Sequence, residues 1–334
     1  TLLSGHIPLW NPLVGMGAPL IANYQSALFY PPNWLLFIMY ISSGLSALAW
    51  GQALLVCLHL IWSSFGMAAL THRLGLGRLA QTISGLAFGL SGYLVSRAWF
   101  ASINTSVAWL PWILVASLDL VNAREKRSQI IKLSVVVGLQ LLTGHAQTTW
   151  YSLLLAGLWI SYWHISVEMK TILGFGKQVK SLLKAWWRFG ISVLIGVSLS
   201  AVQLFPTAAY LLQSQRASAA EYEAAMTYSF WPWRLLGLLA PTLFGNPAFG
   251  NYWGYGNFWE DAVYIGLLPI LLALVALIRG LLSGRKVITS ENESIEEPDR
   301  YPKSLFGFLL GIILVSILLA LGQNTPVFPW LYHN

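Results

Sequence analysis

The sequence predicts an all-α polytopic membrane protein, and three observations carry that reading. Of its 334 residues, 56% are hydrophobic and 9% charged, with a mean hydropathy of +0.63, whereas soluble domains carry about 25% charged residues. Apolar runs near the roughly 20 residues needed to cross a bilayer recur along the chain. The lysines all lie in short connections between those runs, as they do in the cytoplasmic loops of membrane proteins. The net charge of +7 therefore reports orientation, and nucleic acid is not expected as a partner. Cys57 is the single cysteine, which excludes an intrachain disulfide. The chain opens on Thr1 and shows no signal peptide, as expected of an internal piece of a longer protein.

Taken in order, the first element is the stretch Gly5 to Trp34. Pro8, Pro12, Pro19, Pro31 and Pro32 prevent a helix or strand from running through it. Its Trp10, Tyr24, Phe29, Tyr30 and Trp34 are too apolar for a disordered segment. An ordered, uncharged loop at a membrane surface is expected, packed on the later segment 213–259. Spans follow near 47–70, 80–96, 103–121, 130–145, 148–163, 187–212, 260–280 and 305–322, about eight crossings in all. The pair over 130–163 shares one apolar stretch broken only at Thr143 to Thr149, which reads as a tight hairpin.

The basic connections then share one side. These are Arg73 with Arg78, Arg124 to Lys132, Lys170 to Arg188, and Arg279 to Lys303. By the positive-inside rule that side is the cytoplasm, and 281–304 becomes a cytoplasmic loop of mixed acidic and basic residues. The first extracytoplasmic loop (1–34), the turns near Arg97 and His145, and the second large loop (213–259) face outward. The whole of 1–334 reads as a single transmembrane domain, and no Walker, Rossmann or zinc spacing is present.

Outside the expected membrane the inventory of charge is small. Its carboxylates are Glu221, Glu223, Glu260 and Asp261, and its permanent cations are Arg97, Arg216 and Arg234. Arginine presents a planar fork suited to phosphate oxygens, so outward arginines suggest anion binding. Arg234, between tryptophans, reads instead as an interface anchor. Glu260 and Asp261 open the span 260–280, where a helix dipole favours acids; two adjacent acids at a lipid boundary also suit a site. His145 is expected to cap a helix end or to contact a ligand from its turn, together with Gln147. His59 lies mid-span, where a polar side chain invites a functional reading, although a hydrogen bond to a neighbouring helix accounts for it. The aromatics of 228–259 form a headgroup-level belt, some of them suited to stacking on sugars.

Several runs resemble the bacterial membrane protein family called YfhO. They are PLWNP, Gly15-x-Gly17-x-Pro19, Ala22-Asn23-x-Gln25 and YPPNW in the loop, then GH-x-Q-x-x-x-Y at Gly144 to Tyr151, Ser214 to Ser218, Ala240 to Gly245, and E-D-x-x-Y-x-G-L-L-P from Glu260. That family looks like the GT-C class of membrane glycosyltransferases. The resemblance implies a GT-C-like arrangement in a multi-pass bacterial plasma-membrane protein. It would move a sugar from a polyprenyl-phosphate donor to an extracytoplasmic glycopolymer or glycolipid acceptor of the cell envelope. Arg216 and then Arg97 would hold the donor phosphate, His145 and Gln147 would orient the donor, and Glu260 ranks above Asp261 as the catalytic carboxylate. Asn11, Asn23 and Gln25 join the substrate-binding candidates. The resemblance implies an acid in the first outer loop, and Thr1 to Trp34 has none, so the main base is expected upstream or is absent. No metal or cofactor is indicated, and membrane lipids are the remaining partner. The competing readings are a transporter or flippase of a lipid-linked sugar and a scaffold without ligand. Polar groups gathered at one face rather than at mid-depth favour interfacial chemistry.

Overall fold

A computed structural model describes residues 9–13, 16–123, 125–168, 175–214, 222–254, 256–282 and 303–334. The chain divides into two compact units, Thr1–Ala219 and Ala220–Asn334, where the sequence reading takes one transmembrane domain. Helices dominate both units.

The first unit opens with a short antiparallel pair, β1 (Trp10–Asn11) and β2 (Ala18–Pro19). A single-turn helix at Tyr24–Ser26 and another at Pro31–Asn33 follow, so the described part of the proline-rich stretch takes defined local structure. Then come α1 (Trp34–Ser43), α2 (Leu45–Arg73), α3 (Arg78–Gly89), α4 (Gly92–Ser96), α5 (Ala101–Ala108), α6 (Leu110–Asn122), α7 (Lys126–Leu142), α8 (Ala146–Glu168), α9 (Phe175–Leu199) and α10 (Ala201–Leu212). Among the described residues, three helical stretches are long and apolar enough to cross a membrane: Leu45–Arg73, Ala101–Asn122 and Gly176–Leu199. The other expected spans coincide with helices that are shorter or less apolar. The span expected over 80–96 is broken at Leu90, because Ser91 turns to cap α4. That over 187–212 is two helices parted at Ser200, which bonds back to Gly196 O (2.9 Å) and ends α9. Helix α1 has no counterpart among the expected spans. It folds back at Gly44 so that Leu36 and Met39 meet Gly51 of α2.

Small residues set the helix contacts. A Cβ on Gly89 would come within 2.7 Å of Leu60 O, and one on Gly85 within 2.8 Å of Ser64 O, so α3 can lie against α2 only because both side chains are hydrogen. Gly138 and Gly196 bring α7 and α9 together in the same way. Gly196 faces Ser134 and Val137 while Gly138 faces Leu199, so the two helices run parallel with α8 returning between them. The core they enclose holds Ile113, Ala116 and Leu120 of α6, Leu133, Val137 and Leu141 of α7, Ala156 and Ile160 of α8, and Ala185 and Phe189 of α9.

One end of this unit collects charge. Asp119 of α6 accepts from Arg73 (3.1 Å) and Lys132 (2.6 Å), tying α2, α6 and α7 together. Lys126 Nζ donates to Leu120 O (3.0 Å) and Val121 O (2.7 Å) and so caps α6. The proline-rich loop binds elsewhere. Trp109 Nε1 donates to the Tyr30 hydroxyl (2.9 Å), which donates to His59 Nε2 (2.7 Å), while His59 Nδ1–H donates to Leu55 O (2.7 Å). The carbonyl can only accept, so Nδ1 carries the ring proton and Nε2 is left to receive the tyrosine's. Burial raises the Tyr30 pKa, so that proton stays in place. His59 thus anchors the loop. Tyr30→Phe leaves His59 Nε2 and the Trp109 N–H without a partner in a buried site, and a destabilisation of about 2 kcal/mol is expected. An unfolding midpoint in detergent equal to the parent's would contradict that network.

The second unit contains α11 (Tyr222–Met226), α12 (Phe258–Asp261), α13 (Leu267–Leu282), α14 (Lys303–Ala320) and α15 (Val327–His333), with a 3-10 stretch at Pro232–Leu238. Gly280 of α13 lies against Phe306 of α14. At the other end of α14, Phe230 N donates to Ala320 O (2.8 Å) and Asn324 Nδ2 to Phe230 O (3.0 Å). The expected span 260–280 is corrected here. Its acids belong to a separate four-residue helix, α12, and α13 starts only after Gly266, whose φ of +99° interrupts the helix.

Candidate functional site

The first unit gathers several sequence-predicted residues around the turn between α7 and α8. Below the turn, buried Gln140 donates to Ser106 O (2.9 Å) and Ser152 Oγ (2.8 Å), fixing α7 to α5 and α8. Gly144 makes the turn at φ +86°, and a Cβ there would stand 2.4 Å from Tyr24 O and 3.1 Å from the Gln25 Cα. Only glycine allows that approach. The Ala22-Asn23-Tyr24-Gln25 run of the loop therefore lies directly on the Gly144-His145 turn. Two further bonds hold it: the Tyr24 hydroxyl donates to Leu141 O (2.6 Å), and Gln203 Nε2 of α10 donates to Ile21 O (2.9 Å). Burial pushes the Tyr24 pKa up to about 12, so its hydroxyl remains a donor. The Asn23 and Gln25 side chains stay exposed beside the turn.

His145 both caps and presents. Thr148 N–H donates to its Nδ1 (3.2 Å), with the Thr148 hydroxyl at 2.7 Å, so the ring proton resides on Nε2 and that edge is a donor. Burial, and then the positive charge of Arg97, lower the His145 pKa; the imidazole is neutral at neutral pH. Arg97 follows α4, with its guanidinium 3.9 Å from the centre of the Tyr93 ring and only 5% of the residue exposed. Asn104 of α5 steadies α4 by donating to Leu94 O (2.9 Å). Gln147, one residue into α8, is exposed and donates to the Tyr151 hydroxyl (2.9 Å). A guanidinium, a neutral N–H donor and exposed amides are donor types that suit phosphate and sugar hydroxyls, with the Arg97 side chain almost wholly buried.

The remaining candidates belong to other elements or lie outside the described residues. Asn11 sits on β1, where its Oδ1 accepts from Leu13 N (3.0 Å). Arg216 is outside the described residues. Glu260 and Asp261 belong to the second unit. There Asn257 Oδ1 caps α12 by accepting from Glu260 N (3.1 Å), and the Glu260 side chain is exposed. The Asp261 carboxylate pairs with Arg234 and accepts from the Tyr252 hydroxyl, which itself accepts from Arg234 Nη1 (2.9 Å). The guanidinium also lies 5.3 Å from the centre of the Phe244 ring. Arg234 is 2% exposed, so it is no anchor reaching for lipid phosphates. Its neighbouring tryptophans suggest an interface, but its charge is spent on Asp261.

Sequence reasoning passed over Tyr24, Tyr30 and Gln203, which hold the loop, and Tyr252, which links Arg234 to Asp261. Gln203 carried a usable signal, since an amide inside an apolar run needs a partner. Among the described residues no group of three or more His, Cys, Asp or Glu could hold a metal.

No curated protein and no solved structure matches the chain. The family model described as bacterial membrane protein YfhO matches residues 15–290, a stretch that takes in the Ala22 to Gln25 run, the Gly144-His145 turn it lies on, and the Arg234–Asp261 pair. The match covers well over half of the chain, and this protein belongs to the YfhO family of bacterial membrane proteins.

Proposed function

We propose that this protein is a multi-pass plasma-membrane glycosyltransferase of GT-C-like arrangement. It would move a sugar from a polyprenyl-phosphate carrier to an extracytoplasmic glycopolymer or glycolipid. The observation supporting it best is the meeting of two distant motifs, Ala22 to Gln25 and Gly144-His145, on one surface beside Arg97. The charge-rich end of the first unit, with Arg73, Lys126 and Lys132, would face the cytoplasm, and the loop with its turn would face outward.

In this reading an acceptor hydroxyl attacks the anomeric carbon of the donor. The bond from that carbon to the phosphate oxygen breaks, the hydroxyl proton passes to a carboxylate, and polyprenyl phosphate leaves. Arg97 would neutralise the charge growing on the leaving phosphate. His145 would add a hydrogen bond from Nε2–H, a role that a neutral imidazole fills without itself giving up the proton. Asn23, Gln25 and Gln147 would hold sugar hydroxyls. Asn11 and Arg216 remain proposed substrate-binding residues. Glu260 is preferred to Asp261 as a carboxylate, because its side chain is exposed.

Reconstitution with a radiolabelled polyprenyl-phosphate sugar and an envelope acceptor tests the proposal. Sugar appearing on the acceptor, with equimolar release of polyprenyl phosphate, is expected. Transbilayer movement of intact donor without transfer would replace the proposal with the flippase reading.

A further inference from the structure

We propose that the N-terminal half of α9 is a binding surface for anionic phospholipid headgroups. Lys177, Lys180, Lys184 and Arg188 follow one another at intervals of three and four residues, so they form one stripe along the helix. Two other stripes flank it. Ala185, Phe189 and Ser192 are buried and define the side packed into the unit. Val179, Leu183, Trp187 and Leu194 are exposed and apolar, and at 63–72% exposure Leu183, Trp187 and Leu194 are among the most open large side chains of α9.

The apolar stripe does not stop where the lysines begin. It runs from Val179 through Leu183 and Trp187 to Leu194, past the last of the four cations. Lys180 and Lys184 therefore lie within the first turns of a lipid-facing surface, with Lys177 just beyond it. A charged group in that position avoids hydrocarbon by extending its alkyl stem until the ammonium reaches the headgroup layer. Trp186 and Trp187 stand beside Arg188, the last cation of the stripe, and tryptophan favours the membrane–water interface.

Among the described residues the charges of the stripe have no internal ion pair. In the same unit Arg73 and Lys132 share Asp119, and Lys126 caps α6. None of the four cations of the α9 stripe is ion-paired with a described residue. A row of cations beside an uninterrupted apolar strip is complementary to a phosphate carried on acyl chains. An acidic polypeptide would match the lysines and leave Leu183 and Trp187 in water.

The test uses the full chain, incorporated into nanodiscs from an equimolar mixture of phosphatidylglycerol and phosphatidylcholine. Lipids that remain bound after transfer to detergent are counted by native mass spectrometry. The parent is expected to retain phosphatidylglycerol in preference to phosphatidylcholine. Each lysine of the three changed to glutamine should weaken that retention about fivefold, the equivalent of about 1 kcal/mol per basic side chain. Lys177→Arg, Lys180→Arg and Lys184→Arg together should preserve it, because charge and length are kept. These side chains are exposed, so the variants should fold, and an unchanged unfolding midpoint would show it. Equal retention of the two lipids by the parent would overturn the proposal, as would undiminished phosphatidylglycerol on the triple glutamine variant. Binding of soluble polyglutamate without phosphatidylglycerol enrichment would reassign the stripe to an acidic protein.

Discussion

Asp261→Ala is expected to destabilise the second unit by about 3–5 kcal/mol, the cost of leaving a buried cation without its counter-charge. Arg234 is 2% exposed, its Nη1 donates to Tyr252, and the tyrosine in turn donates to Asp261. Removing the carboxylate strands both groups at once. Simultaneous replacement by apolar residues, Arg234→Met with Asp261→Leu, should restore most of the loss, because neither charge then needs solvation. Thermal unfolding of purified protein in detergent measures both. A single Asp261→Ala variant as stable as the parent would show that the pair contributes nothing. The same comparison separates structure from chemistry in the acidic pair, since Glu260→Gln touches an exposed side chain and should leave the midpoint unchanged.

Arg97→Lys is expected to lower sugar transfer about a hundredfold at equal expression, the loss typical of one contact made to charge developing in the transition state. Lysine keeps the positive charge and loses the planar fork that binds two phosphate oxygens. His145→Ala should act in the same direction, because it removes the Nε2–H donor together with the cap on α8. His145→Asn supplies a side-chain oxygen for the Thr148 N–H and so separates the two effects. If the cap alone matters, His145→Asn will match the parent, whereas a catalytic donor will be missed in both variants. Rates of Arg97→Lys and His145→Ala within threefold of the parent would assign both residues to structure.

Much of this was legible in the sequence, and the exceptions have physical causes. Helix α2 announces itself through length and hydropathy, whereas α9 begins within the stretch read as a basic connection; the cationic end formed by Arg73, Lys126 and Lys132 appears in the charge pattern alone. Helix α1 did not, because ten residues are too few to cross a bilayer and lack the basic flank that marks a span. The break at Ser200 was hidden by apolar residues on both sides of it. Gly266 was read as part of a helix, since nothing local distinguishes a tolerated helical glycine from one held at positive φ.

At the site, the turn at Gly144-His145 could be placed from its small and polar residues, and Arg97 was singled out by the scarcity of arginine among the segments expected to face outward. The contact between that turn and Tyr24–Gln25 could not, because the two segments are separated by most of the first unit and neither carries a charge to reveal the pairing. Arg234 was misread for a related reason. Its partner Asp261 lies in a different turn of the chain, while Trp231 and Trp233 stand next to it and suggest the lipid interface.

The central claim is that the Ala22 to Gln25 run and the His145 turn form one outward-facing phosphate and sugar surface. Gln25→Cys in a Cys57→Ser background tests it most directly, with labelling of intact cells by a membrane-impermeant maleimide. Position 25 should react readily, since its side chain is exposed, and added polyprenyl-phosphate sugar should slow the reaction severalfold. Reaction only after the membrane is opened, or a rate indifferent to the donor, would contradict the claim.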